Sequence, residues 1–324
     1  MEVAGKTVVV QGRWIKVASI HDEQWLETGI DDPESFAREI KERARSVQPA
    51  DILTFTQKIP DIVPGYKYAM ELESVAVART SNFQEWWEAL PQETRKNVRR
   101  SQKRGVTIEV KPFGDEIIRE IVMLNNDCPM RQGKPNNHFG KSFEEVKKDY
   151  SSFVDHSDLI GAYADGELIG LVKVVYRGDI ASILQCLPNP KHSDKRPANA
   201  LIAKTVELCA AKGITHLTYG LFHYGKKREN PLLEFKIRNG FEEMFSPRYY
   251  VPLTLWGAFC ISSKMHHGLA GMLPERLVSL GIGARKKWYD VVSRRRMSRC
   301  SSIAERPNCN RQTGRSNPPA GSTI

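Results

Sequence analysis

A chain of 324 residues has room for about two domains, and its formal charge of +10 sits largely at one end: from Arg294 onward there are seven Arg against one Glu, which leaves a body near +4. That body charge does not by itself call for nucleic acid, and no apolar run approaches the ~18 residues that would span a bilayer. The six cysteines, Cys128, Cys186, Cys209, Cys260, Cys300 and Cys309, form no CxxC pair and meet no His cluster at metal spacing, so they read as reduced thiols and no metal is expected. The start, Met1 to Lys6, lacks a signal-peptide profile, and the expected compartment is the cytoplasm.

In chain order, Thr7 to Ile20 is rich in Val and Ile and reads as one or two strands. Pro33 to Arg45 reads as a helix, with Phe36 and Ile40 at i, i+4, and Asp51–Thr56 and Tyr68–Val77 read as strands. Phe83, Trp86, Trp87 and Leu90 form the aromatic face of a short helix that Pro91 breaks. The next helix, Gln92 to Arg104, carries Arg95, Lys96, Arg99, Arg100, Lys103 and Arg104 on one side. Such a face repels itself unless it meets solvent or an anion, and both readings stay open.

From Gly105 the order of elements becomes informative. A strand (Val106–Val110) precedes a helix (Asp115–Asn126), a long polar loop (127–140) and a second helix (Ser142–Phe153) opened by a Ser142/Glu145 capping box. Three strands follow, Leu159–Ala164, Leu168–Tyr176 and Ile180–Leu187, joined by turns at Asp165-Gly166 and Arg177-Gly178-Asp179. Then come a helix (Pro197–Lys212), a strand (Thr215–Tyr219), a helix from Pro231 stopped by Gly240, and a last strand (Glu242–Leu253). Leu273 to Arg296 reads as an interrupted helix with a basic end, suited to docking on the body or to lying on an anionic membrane. The Ser, Arg, Asn, Pro and Gly beyond it cannot bury enough to fold. The chain therefore divides into 1–80, 81–253, 254–296 and 297–324.

One residue breaks the pattern of its helix. Lys236 falls between Leu232 and Leu233 on the apolar face of the helix that starts at Pro231. An ammonium there must snorkel, find a partner or lose its charge.

The order β-α-α-β-β-β-α-β-α-β from Val106 to Leu253 is similar to the GNAT acyltransferase fold, and Glu234-Phe235-Lys236-Ile237-Arg238-Asn239-Gly240-Phe241 resembles that family's LYxxxGF ending. Trp86-Trp87, the basic run Thr94–Arg100 with Lys103-Arg104-Gly105, and Asn230–Lys236 resemble the Fem branch, the peptidoglycan-bridge aminoacyl transferases, whose FK motif matches Phe235-Lys236. The resemblance implies an α/β (α+β) GNAT fold over 81–253, a mixed central sheet with flanking helices, preceded by a truncated GNAT-like half over 1–80. It implies an N-acyltransferase that moves an acyl or aminoacyl group from acyl-CoA or aminoacyl-tRNA to an amine acceptor of the cell-envelope or polysaccharide-precursor kind. The alternative is a non-catalytic module that keeps the fold and an anion or nucleotide site. The partners are then a small-molecule or precursor acceptor, tRNA, and a membrane surface met by the basic C-terminal segment, with no obligate protein partner.

On this reading Lys236 stabilises the oxyanion or the leaving group, with Tyr224 or Tyr219 as the competing acid, and His138 is a candidate base. The strand carrying Cys186 holds the acyl arm through its backbone. The phosphates of the donor face Lys195, Arg196, Ala198, Asn199 and Ala200, where the family's glycine-rich loop is replaced by a glycine-free helix start that still offers N–H groups. Arg131, Lys134 and Lys141 of the long loop suit a carboxylate or phosphate of the acceptor; Arg100, Lys226 and Arg248 are further anion candidates.

Overall fold

A computed structural model describes residues 1–23, 29–44, 49–131, 134–223 and 231–267. In chain order the first elements are β1 (Glu2–Val3), β2 (Lys6–Gln11), β3 (Val17–Ile20), α1 (Pro33–Ala44), β4 (Ile52–Thr56) and β5 (Ala69–Arg79). Next come α2 (Phe83–Ala89), α3 (Gln92–Lys103), β6 (Thr107–Lys111), α4 (Asp115–Asn126), β7 (Met130–Arg131), β8 (Lys134–Pro135) and α5 (Phe143–Tyr150). The remainder is β9 (Ser157–Ala164), β10 (Glu167–Arg177), β11 (Ile180–Pro188), α6 (Pro197–Ala211), β12 (His216–Leu221), α7 (Pro231–Arg238), β13 (Glu242–Pro252) and α8 (Leu255–Ser262). Residues Met1–Ile261 form one unit and Ser262–Ile324 a second; of the second, only a short turn at Met265–His267 has regular structure among the described residues.

Local chemistry accounts for most boundaries. The Asn82 side chain caps α2 by accepting from the N–H groups of Gln84 and Glu85. Ser142 and Glu145 form the reciprocal capping box that opens α5. Asp165 and Gly166 take the left-handed conformation of a tight hairpin turn between β9 and β10. Two elements depart from expectation. The helix expected to reach Phe153 stops at Tyr150, and Phe153 itself takes a positive φ of 57° that no helix accepts. The long polar loop contains the β7–β8 hairpin. The tail over 297–324 and most of the segment over 254–296 lie outside the described residues. No described helix is long and apolar enough to cross a membrane.

Eleven strands form one sheet in the order β1-β2-β3-β4-β13-β5-β12-β11-β10-β9-β6. It is antiparallel except at two pairs, β3–β4 and β11–β12. Each parallel pair is bridged by one helix, α1 and α6 respectively, so the N-terminal strands repeat in reduced form the crossover of the later half. Strands from either side of residue 80 alternate: β5 lies between β13 and β12, and β13 lies between β4 and β5. Three main cores result. One packs the sheet against α2, α3 and α6 around Leu201, Val206, Leu217 and Phe241. Another joins α1 to the first strands and to Tyr249. The third packs α4 and α5 on Leu159, Leu171 and Leu187. Successive residues of a strand face opposite sides, so Leu171 and Val172, which belong to different cores, place α4 and α5 on the sheet face opposite α6.

Candidate functional site: a wedge between two parallel strands

The parallel strands β11 and β12 pair over three rungs only, Ile180–His216, Ala181–Leu217 and Ser182–Thr218. Two irregularities then part them. The β10–β11 register slips so that Val174 faces Ile183 but Lys173 faces Gln185, which leaves Leu184 as an extra residue. On the other side the β12–β5 register shifts between Thr218 and Leu221. The flanks of the resulting wedge, Leu184–Cys186 and Tyr219–Leu221, are half-buried, while the rungs behind them are buried apart from His216.

Lys236 closes one side of this wedge. Its helix, α7, ends where Phe241 donates its N–H back to the Lys236 carbonyl and Gly240 turns with φ +77°. The Lys236 side chain is fully buried. Its amine donates to the carbonyl oxygens of Tyr219 at 2.6 Å and Leu221 at 2.7 Å, both on the wedge. It also lies 4.6 Å from the Tyr219 ring centroid, within cation–π range. Burial pulls the ammonium down to about 8, so the charge persists at neutral pH. The Tyr219 hydroxyl in turn hydrogen-bonds the Cys186 thiol, which burial pushes up to about 11 against the opposing effects of Tyr219 and Arg131. Cys186 is thus a neutral wall residue, not a thiolate nucleophile.

The α4–α5 loop reaches the same place. Buried Asn136 organises it: its amide donates to the carbonyls of Asn125 and Cys128 at 3.1 and 2.9 Å and accepts from the His138 N–H at 3.1 Å. Arg131 is half-buried; burial lowers its affinity for the proton, and it interacts with Cys128, Tyr150 and Cys186. His138 is also held below its ordinary range, first by burial and then by the charges of Lys141 and Arg131, which favours the neutral imidazole a base requires. Lys141 is taken by Asp149 at 2.5 Å. Lys236, Cys186, Arg131 and His138 therefore form one connected neighbourhood through Tyr219.

Other candidates lie apart. Lys195 pairs with Asp165 at 3.0 Å, and exposed Arg196 caps α6 in a left-handed conformation. Ala198, Asn199 and buried Ala200 form the first turn of α6, and Asn199 donates to the Asn239 side chain at 3.1 Å. A cleft of about 170 Å³ at this end is lined by Arg196 and Asn199 but also by Glu93 and Glu234, whose carboxylates oppose a phosphate. Arg100 bonds Asn97 at 3.1 Å and approaches Glu93 at 3.9 Å. Arg248 grips Glu73 with two nitrogens at 3.0 and 3.1 Å and lies 3.6 Å from Glu23, in a cavity of about 440 Å³ that also holds Lys58 and Arg177. Tyr224, Lys226 and the Lys134 side chain fall outside the described residues.

One feature was missed from sequence. Lys173, in the middle of the apolar run Leu168–Tyr176, is as buried as Lys236 and likewise bridges two carbonyls, those of Tyr150 at 2.7 Å and Ser152 at 2.5 Å. A lysine flanked on both sides by Val in a strand was the available signal.

No protein-family model and no curated protein sequence matches the chain. Solved structures do. FemX superposes with a TM-score of 0.54 at 11% identity over 74% of this chain and 83% of its own. The C-terminal domain (DUF2156) of a putative lysylphosphatidylglycerol synthetase from Agrobacterium fabrum gives a TM-score of 0.51 at 15% identity over 82% of this chain and 86% of its own. The chain has a Fem-like fold. At such identities the likeness is one of fold alone. The wedge and the buried lysine beside it lie at the parallel strand pair of that Fem-like fold.

Proposed function

We propose that the chain is an N-acyltransferase that moves an acyl or aminoacyl group from acyl-CoA or aminoacyl-tRNA to an amine, on an acceptor of the cell-envelope or polysaccharide-precursor kind. The observation that carries this reading is the Lys236 ammonium held at the lip of the wedge. Backbone groups along Leu184–Cys186 that no longer pair with β12 bind the donor's acyl arm. The acceptor amine attacks the acyl carbonyl, and the new C–N bond forms as the carbonyl oxygen takes up negative charge. A buried cation beside that oxygen lowers the barrier more than it would in water. His138, held neutral, takes the proton that the amine sheds. The C–S or C–O bond to the carrier then breaks, and the leaving thiolate or alkoxide takes the proton from the His138 imidazolium.

Contact with an anionic membrane through the basic C-terminal segment belongs to the same proposal. Helix α8 exposes Leu255, Trp256 and Phe259, and the Trp256 indole donates to the carbonyl of Trp14, itself exposed; such a group suits the interface of a bilayer. A second reading has one observation in its favour. Lys173 shows that a buried lysine bridging two carbonyls can serve as a strut, and a Lys236 of that kind would leave a binding module without turnover.

Thermal-shift screening against CoA thioesters and aminoacyl-tRNA, followed by transfer assays with the donor that stabilises, separates the readings. Lys236→Met is expected to cut kcat by about 10²-fold or more. Undiminished turnover in that variant, with the fold intact by circular dichroism, would remove Lys236 from the chemistry.

A further inference from the structure

Buried polar atoms that lack partners cluster on the α4–α5 side of the wedge. Among the described residues the Arg131 Nε and Nη2, the Tyr150 hydroxyl, the Gln185 Oε1 and both side-chain atoms of Asn125 are buried without a hydrogen-bond partner. Such groups are rare in native proteins and are costly unless something binds them. These six come from four side chains that intermediate residues link. Arg131 couples electrostatically to Tyr150. Gln185 faces Lys173 across the strands, and the Lys173 amine lies 5.9 Å from the Tyr150 ring centroid. The Asn125 carbonyl is tied through Asn136 to Cys128, which also interacts with Arg131.

The orphaned atoms of Arg131 form one edge of the guanidinium, Nε with Nη2. Arg248 shows within this same chain what that edge takes: it holds the Glu73 carboxylate through Nε and Nη2 at 3.0 and 3.1 Å. The fork geometry is matched by a planar two-oxygen anion. Burial pushes the Tyr150 phenol up, so it stays an O–H donor. The Gln185 oxygen can only accept and calls for an N–H. Charge decides between anions. Lys141 is spent on Asp149 and Lys173 on two carbonyls, which leaves Arg131, among the described side chains of this cluster, as the cation for one negative charge and disfavours a doubly charged phosphate.

Resting on the acyl-transfer reading, we propose that Arg131, Tyr150 and Gln185 bind a carboxylate with an N–H close to it, so that the amine acceptor is an amino acid or a peptide with a free C-terminus. Arg131 and Tyr150 hold the two carboxylate oxygens, and Gln185 accepts from the adjacent N–H. The Asn125 amide, beside the loop, completes the polar lining.

The test is calorimetric titration of the full chain with the twenty amino acids, glycylglycine and L-alanyl-L-alanine, each against its C-terminal amide, with acetate and inorganic phosphate as further probes. At least one free carboxylate is expected to bind about tenfold or more tighter than its amide, and Arg131→Gln is expected to erase that preference. Tyr150→Phe removes one buried hydroxyl, and is expected to weaken carboxylate binding several-fold while leaving the melting temperature unchanged or higher. The proposal is overturned if amides bind as well as acids, if phosphate outcompetes every carboxylate, if none of the carboxylates binds, or if Tyr150→Phe melts several degrees lower with unaltered binding. Because binding is read apart from transfer, a chain that binds amides as well as acids sinks this inference alone. A chain that binds carboxylates but never turns over sinks only the transferase reading.

Discussion

The Lys236 amine touches Tyr219 twice, through the backbone carbonyl at 2.6 Å and over the face of the ring at 4.6 Å from its centroid. Tyr219 thus helps to hold the cation, together with the Leu221 carbonyl, and links it to Cys186 across the wedge. Catalysis that uses the charge of this amine must follow its protonation. With the ammonium pulled down to about 8, kcat is expected to fall on the alkaline side of about pH 8, and Lys236→Arg, which stays charged, is expected to flatten that limb. A pH–rate profile of the wild type that is level through pH 9 would contradict the assignment.

Stability carries the same signature with a defined sign. Lys236 binds its proton less tightly in the folded chain than at the ordinary 10.5. Between about pH 8 and 10.5 the unfolded chain therefore holds a proton that the folded chain has lost. The native state gains from this group as pH rises through that window, by up to about 1.4 kcal/mol per pH unit. Urea unfolding of wild type and Lys236→Met at pH 8 and at pH 10 should show the difference moving toward the wild type. At neutral pH the variant also leaves the carbonyls of Tyr219 and Leu221 without their donor, at a cost of about 1–3 kcal/mol.

Arg248 is expected to govern stability and not acceptor binding. Its guanidinium is committed to Glu73 and lies near Glu23, whose own carboxyl is raised by burial against the pull of Arg248. Arg248→Met leaves the Glu73 carboxylate without its forked partner and weakens the hold on Glu23, and should cost about 3 kcal/mol in urea unfolding. Acceptor KM should change less than twofold, and a large rise in KM with unchanged stability would return Arg248 to the substrate site.

Gly240 joins two helices that sequence separates. A Cβ at this position would lie 2.6 Å from the Trp86 Nε1 and 3.1 Å from a Leu90 methyl, on a backbone with φ +77°. Gly240→Ala should destabilise by about 1–3 kcal/mol. It should also shift the emission of Trp86, which packs beneath α7. The shift can be read against a Trp86→Phe control, and an unshifted, equally stable variant would show that α2 and α7 can separate freely.

Short-range chemistry made much of the fold readable. The i, i+3, i+4 spacing of Ile117, Ile118, Ile121 and Leu124 marked α4 at its observed ends, and Asp165-Gly166 marked its hairpin. Lys236 was visible because one charged residue stood on an apolar helical face. What escaped depends on strand register between distant residues. The Arg248–Glu73 pair spans 175 positions, and an isolated reading of Arg248 sees only a cation without a partner. The insertion of β5 between β12 and β13 leaves no local trace, since a strand's own pattern does not name its neighbours. The orphaned groups of Asn125, Tyr150 and Gln185 were equally silent, because each is an ordinary residue until three elements bring them together.

The interleaving of β5 and β13 has a consequence for biosynthesis. The two parts of the sheet cannot be joined until β13 has left the ribosome, because that strand bridges β4 to β5. Until then β4 and β5 present open hydrogen-bonding edges, the surfaces on which nascent chains stick to one another. Expression yield should therefore respond to chaperone supply and growth temperature more than the melting point of the finished molecule would suggest, and a gene cut at codon 80 should give two insoluble halves.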